Sequence, residues 1–251
     1  MSSSAIFDRE SVVAAFDALD ADVDAIGALG FDALTTPELL GLLERLERVR
    51  RVLPAVEHGV INQLRQQASP VELGGSLAHG LANRLRITRG EAQRRIDEAH
   101  DLGEQRALTG EPLPPRLPAT AAGQREGTIG SGQVGVIRRF FEQLPCCVDV
   151  ATRERAESHL AKLAAQYRPD QLRKLADKLA DCLNPDGNFS DEDRARRRGL
   201  TLGKQDPDGM SPIRGWLTPE LRAGLEAVLA RWARHPERGS HPGRHPLDHP
   251  A

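Results

Sequence analysis

The chain has 251 residues, of which 39% are hydrophobic, 28% charged and only 4% aromatic. That length supports one large domain or two small ones. The composition suits amphipathic helices around a Leu, Val, Ile and Ala core rather than a wide buried sheet. A formal net charge of -2 excludes a global field that could hold a polyanion.

The charge is unevenly placed. Met1 to Glu47 carries ten acidic residues and two basic ones, whereas Arg194 to Lys204 carries five basic residues and no acidic one. Nucleic acid is therefore least expected at the N-terminal arm. Cys146, Cys147 and Cys182 contain no CxxC pair and cannot form a disulfide framework, which points to a reducing compartment. Basic and apolar regions of a signal peptide are missing from the N-terminus, and no apolar run approaches a membrane span. The expectation is a cytoplasmic protein with no membrane partner.

In chain order, the first predicted helix runs from about Asp8 to Leu29. Val12, Phe16, Leu19, Val23 and Ile26 line one side and Asp17, Asp20, Asp22 and Asp24 the other. A longer helix opens at Thr36-Pro37-Glu38, with Thr36 as cap and Pro37 in the first turn. Leu39, Leu42, Leu46, Val49, Leu53, Val56 and Val60 then alternate at three and four, the spacing of a coiled-coil seam. Pro54 is expected to kink it between Arg50 and Leu53. The seam can close on the first helix as a hairpin, which is the simpler arrangement, or on a second copy of the chain.

Two shorter helices follow, Leu77 to Leu85 and Arg89 to Leu102. The second is capped by Thr88-Arg89-Gly90-Glu91, with Ala92, Ile96 and Ala99 facing inward. Prolines 112, 114, 115 and 118 mark an extended linker. Beyond it lie helices at Gln133 to Leu144, Thr152 to Tyr167 and Asp170 to Leu183. Gly199 to Lys204 and Met210 to Leu217 flank a turn-rich loop and form the one expected β-hairpin. Thr218-Pro219-Glu220 opens a last helix to about Trp232.

The predicted fold is thus mainly α: a multi-helix bundle with a long coiled-coil-like helix near the N-terminus and one β-hairpin near the C-terminus. Its divisions are 1–107, an N-terminal helical region; 108–123, a Pro-rich linker; 124–233, a helical region with the hairpin; and 234–251, a disordered His/Pro tail.

No catalytic residue, metal site or cofactor is assigned. His241, His245 and His249 are four apart, but the proline after each forbids the helix that would align them. Cys146 and Cys147 follow Pro145 at the wrong helix end for thiolate activation and are read as packing residues. Gly127-Thr128-Ile129-Gly130-Ser131-Gly132 lacks the Lys-Ser or Lys-Thr of a phosphate loop.

Two features point toward DNA. The helix pair has helix-turn-helix proportions, with Arg86 in its turn and Arg89, Arg94 and Arg95 early on its second helix, where that motif enters the major groove. Such bihelical turns are also common packing units. Arg194, Arg196, Arg197 and Arg198 form the densest cationic run, suited to phosphates or simply to a solvated surface.

Several stretches together resemble a known family. They are Phe31-Asp32-Ala33-Leu34-Thr35-Thr36-Pro37-Glu38, Leu43-Glu44-Arg45-Leu46-Glu47-Arg48, Leu108-Thr109-Gly110-Glu111-Pro112, Tyr167-Arg168-Pro169-Asp170, and Asp193-Arg194-Ala195-Arg196-Arg197-Arg198-Gly199-Leu200. Asp208-Gly209-Met210 with Gly215-Trp216-Leu217-Thr218-Pro219-Glu220 completes the set. From about Phe7 to Ala233 the chain resembles the bacterial 13E12-repeat family, which carries domain of unknown function 222. The resemblance implies the front part of an HNH-endonuclease-like protein, apparently truncated before the nuclease module and its metal-binding His and Asn residues. It carries no catalytic residue onto this sequence. The expectation is a non-enzymatic, DNA-associated helical module. The alternatives are a self-association module, partnering itself or full-length relatives, and a remnant of a mobile repeat without function.

Overall fold

The computed structural model describes residues 9–107, 109–187 and 189–234; the His/Pro tail beyond Arg234 lies outside them. The described residues form eleven helices and two small two-stranded sheets, so the fold is mainly α. The chain divides into two compact units, Met1–Arg138 with Glu154–Lys174, and Arg139–Arg153 with Leu175–Ala251.

In the first unit, α1 (Arg9–Gly27) precedes α2 (Thr36–Gln67), and Pro54 lies inside α2 without ending it. The cap is Thr35 rather than Thr36. Glu38, three residues on, accepts hydrogen bonds from the Thr35 backbone N–H at 2.8 Å and hydroxyl at 2.6 Å. That capping-box geometry fixes the helix start one residue early.

After α3 (Pro70–Leu73) come α4 (Leu77–Leu85) and α5 (Arg89–Leu102), at the bounds the periodicity predicts. Ala92, Ile96 and Ala99 do face inward, and with Leu81 and Ala82 they enclose Ile61 of α2. Asn62, also on α2, donates to the carbonyls of Ala99 at 2.8 Å and Glu104 at 3.1 Å. The Ala99 carbonyl, which also accepts from the Gly103 N–H at 3.0 Å, and the Glu104 carbonyl beyond the helix end are thereby tied to α2. Gly103 makes this approach possible, because a Cβ there would lie 2.4 Å from Asn62 Nδ2.

The segment read as a linker is partly structured. A two-residue ladder pairs β1 (Gln105–Arg106) with β2 (Pro112–Leu113), closed by the Ala107 N–H donating to Glu111 O at 2.8 Å. The C-terminal hairpin is therefore not the only one. Pro118 then occupies the first turn of α6 (Pro118–Glu126), where its missing N–H costs nothing. The cap comes from far away in sequence. Buried Glu157 of α8 (Val150–Ala164) accepts from Thr120 N–H at 2.6 Å, Thr120 hydroxyl at 2.7 Å and Ala119 N–H at 3.2 Å. A carboxylate on the helix's N-terminal amides also complements its dipole.

α7 (Ser131–Gln143) and α9 (Pro169–Leu183), like α8, each contribute to both units. In the first unit, Arg138 of α7 reaches Asp101 of α5 at 2.8 Å. The second unit adds α10 (Asp191–Arg197), a hairpin of β3 (Gly199–Leu202) and β4 (Ile213–Trp216), and α11 (Pro219–Arg234). In the hairpin, Gly199 pairs with Trp216 and Leu200 with Gly215. A Cβ at Gly215 would sit 2.0 Å from the Gly199 carbonyl oxygen, so this register admits only glycine there.

Candidate functional site

The most conspicuous surface is the apolar face of the first two helices. Residues of α1 are all exposed, although Val12, Phe16, Leu19, Val23 and Ile26 form the stripe expected to face a core. In α2, Leu39, Leu46, Val49, Leu53, Val56 and Val60 of the seam are exposed as well, between 37% and 50%. The face α2 does bury carries His58, Ile61 and Asn62. At 100° per residue, Val56 and His58 point to opposite sides, so core and seam use different faces of one helix. The expected hairpin does not seal the seam.

Along α1, Arg9 stands against Glu10, Asp17, Asp20, Asp22 and Asp24. On α2, Arg45, Arg48, Arg50 and Arg51 cluster within two turns, where Glu47 pairs with Arg51 at 3.1 Å and Arg50 at 3.8 Å.

His58 is a buried, unsatisfied group on the core face. It is 2% exposed, and its Nδ1 has no hydrogen-bond partner. Burial lowers its pKa from 6.5 to about 4; Glu57 opposes that shift, while Arg138 and Arg94 add to it.

Helices α4 and α5 adopt the bihelical turn, with Arg86 as the left-handed C-cap of α4 at φ 57°. The arginines proposed to reach bases are engaged elsewhere. Arg94 pairs with Glu91 at 2.7 Å and with Glu98; Arg95 pairs with Glu57 at 2.7 Å and Glu91 at 2.9 Å. Hydrogen bonds from Arg94 and then Arg95 hold the Glu91 carboxyl down at about 2, and Glu91 in turn raises the pKa of both guanidiniums. Arg89 Nη2 lies 3.0 Å from His79 Nδ1. Bidentate base recognition needs free guanidinium donors, and here carboxylates take them.

The C-terminal arginine run is differently built. Asp193 is buried and accepts from the Ser190 N–H at 3.0 Å and hydroxyl at 2.9 Å, the Cys146 N–H at 3.2 Å, and Arg196. Burial pushes this carboxyl up, but those hydrogen bonds outweigh it and set its pKa at about 2. Arg194 pairs with exposed Asp191 at 3.0 Å. The Arg197 guanidinium lies 4.9 Å from the centroid of the Trp216 ring, and Arg198 is the exposed C-cap of α10.

Sequence reading overlooked Asp193, Trp216, Phe189 and Arg139, which meet around one cavity in the second unit. Only the Ser190-to-Asp193 spacing, a capping-box pattern, signalled any of them. The three cysteines are exposed, contrary to the reading of Cys146 and Cys147 as packing residues. Among the described residues, no three His, Cys, Asp or Glu side chains gather as a metal would require, and no helix is long and apolar enough to cross a membrane.

The model of a domain of unknown function (DUF222) matches residues 40–241. The chain is 61% identical over 225 residues to an uncharacterized protein of Mycobacterium tuberculosis strain CDC 1551, covering 90% of this chain and 54% of that one. A second uncharacterized protein, from strain H37Rv, is also 61% identical, with 90% and 50% covered. One from Mycobacterium bovis is 60% identical over the same shares. The chain spans about half the length of these relatives. No solved structure matches it.

Proposed function

Since the chain belongs to the DUF222 family, whose description assigns no activity, we propose from its own geometry that it is a non-catalytic self-association module joining two copies through α1 and α2. One observation carries this reading: the apolar stripe of α1 and the seam of α2 are both left open to solvent. Exposed apolar surface this continuous marks an interface.

A second copy fits the face better than an unrelated partner for three reasons. The three-four alternation from Leu39 to Val60 is the pattern that packs helix against like helix, knobs into holes. Between Val12 and Val60, sixteen large apolar side chains are exposed. Their open surface is on the order of 1,000 Å² per copy, against ~800 Å² per partner in a standard stable interface. Acidic α1 also complements Arg45 and Arg50, which flank the seam of α2, so an exchange of the two helices between copies brings opposite charges together.

Light scattering on a sizing column, with reductant present because the cysteines are exposed, tests the assignment. The unaltered chain is expected to elute as a dimer, and Leu46→Asp with Val49→Asp as a folded monomer. Both side chains are exposed, so the fold itself is not at risk. A double variant that stays dimeric overturns the reading.

A second reading, contact with nucleic acid, draws on the arginine run rather than on α4 and α5. Its support is the cavity at Trp216, where Arg139 and Arg197 have no carboxylate ion pair among the described residues.

A further inference from the structure

We propose that the second unit carries a binding site for a nucleotide, taken either free or as one residue of a single strand, with the base against Trp216 and the phosphate between Arg139 and Arg197. The proposal rests on the second reading above, and gives that reading a site and a ligand class.

The site is a cavity of about 630 Å³, within the roughly 300–1,000 Å³ of small-molecule sites. It is lined by Arg139, Glu142 and Leu144 from α7 and its end, and by Phe189, Arg197 and Trp216 from the later part of the unit. A smaller cavity of about 190 Å³ shares Phe189, Arg197 and Trp216 and continues past Arg194 and Arg198.

Three features select the ligand. First, five arginines face these cavities against two carboxylates, Glu142 and Asp193. Asp193 already accepts from Ser190, the Cys146 N–H and Arg196, so it offers little to a cation. Arg139 has no ion pair among the described residues. Guanidinium groups match phosphate in both charge and planar hydrogen-bond geometry.

Second, Trp216 is 62% exposed. An indole held open on a hairpin is costly to solvate and suits stacking on a flat ring. Arg197 over its face orients the indole and leaves a cation beside the stack, the combination that single-strand sites use. Third, Gly199, Trp216, Thr201 and Arg214 share one face of the hairpin, because directly paired residues lie on the same side. Arg214 thus extends the basic track beyond Trp216.

The buried Asp193 acts as a positioning residue. It ties the start of α10 to the Cys146 backbone and so sets where Arg196 and Arg197 emerge. No duplex is needed, and stacking on Trp216 requires a base out of its helix.

The test uses the full chain carrying Trp232→Phe, which leaves Trp216 as the sole indole. Its fluorescence is titrated with AMP, with a short oligo(dT) and with a duplex of the same length, at low and physiological salt. Saturable, salt-weakened quenching by the single strand or by AMP is expected, with affinity about tenfold lower in Arg139→Gln and in Arg197→Gln. Arg139 is exposed, so circular dichroism of its variant should match the parent. Quenching by AMP identifies a free nucleotide as sufficient, and quenching by oligo(dT) alone identifies a strand; both support the site. Absent quenching, or quenching unchanged in both arginine variants, overturns it. Duplex binding without quenching also overturns the site, while leaving phosphate contact by the arginine run standing.

Discussion

Acidification should destabilise this protein chiefly through one residue on the core face of α2. His58 is folded neutral, with its pKa lowered from 6.5 to about 4 chiefly by burial. A base with a depressed folded pKa takes up its proton more readily when unfolded. Its contribution is therefore fully present above pH 6.5 and is lost as pH falls from 6.5 toward 4. At 1.36 kcal/mol per pH unit, the full loss is about 3 kcal/mol, of which about 2 kcal/mol is gone by pH 5. Glu91 and Asp193, each held at about 2, lose their contributions only below their ordinary carboxylate values, so the window above pH 5 belongs to His58. With a slope of about 2 kcal/mol per molar urea, the unfolding midpoint should drop by about 1 M between pH 7.5 and pH 5. His58→Leu removes the titrating group and an unpaired buried nitrogen, and should flatten that dependence. A midpoint equal at both pH values, or the same slope in the variant, would refute the reasoning.

Two further substitutions probe the joints that hold the first unit together. Gly103→Ala places a Cβ 2.4 Å from Asn62 Nδ2 and 2.6 Å from the Ala99 carbonyl; it should cost about 1–3 kcal/mol, seen as a lower thermal midpoint. Glu157→Ala strips the N-terminus of α6 of its acceptor and buries unpaired donors at about 1–3 kcal/mol each. Amide exchange at Thr120 should accelerate in that variant, and an unchanged rate would show that the cap contributes little.

The sequence revealed most where a helix carries its own signals. Apolar spacing and local caps placed the start of α2 and both ends of α4 and α5 to within a residue or so, and Ala92, Ile96 and Ala99 were legible as the inward face because the 3.6-residue period dictates it. The hairpin at Gly199 to Trp216 was legible from its turn chemistry. What stayed hidden depends on partners distant along the chain. α6 begins in a proline-rich stretch because Glu157 caps it from 37 residues downstream, and no local pattern encodes that. The acids close in sequence to Arg94 and Arg95 nearly cancel them, and Glu91 and Glu98 do pair with them; what no local pattern shows is Glu57, 38 residues away, which takes Arg95. The apolar stripes of α1 and α2 were visible, but periodicity states only that a face seeks cover. It does not say whether the same chain supplies it.

Sedimentation equilibrium of the unaltered chain, under reducing conditions over a range of loading concentrations, weighs the particle directly. A mass approaching twice the 27.4 kDa of one chain at micromolar concentration is the predicted result. A single species of one-chain mass at every concentration would contradict it.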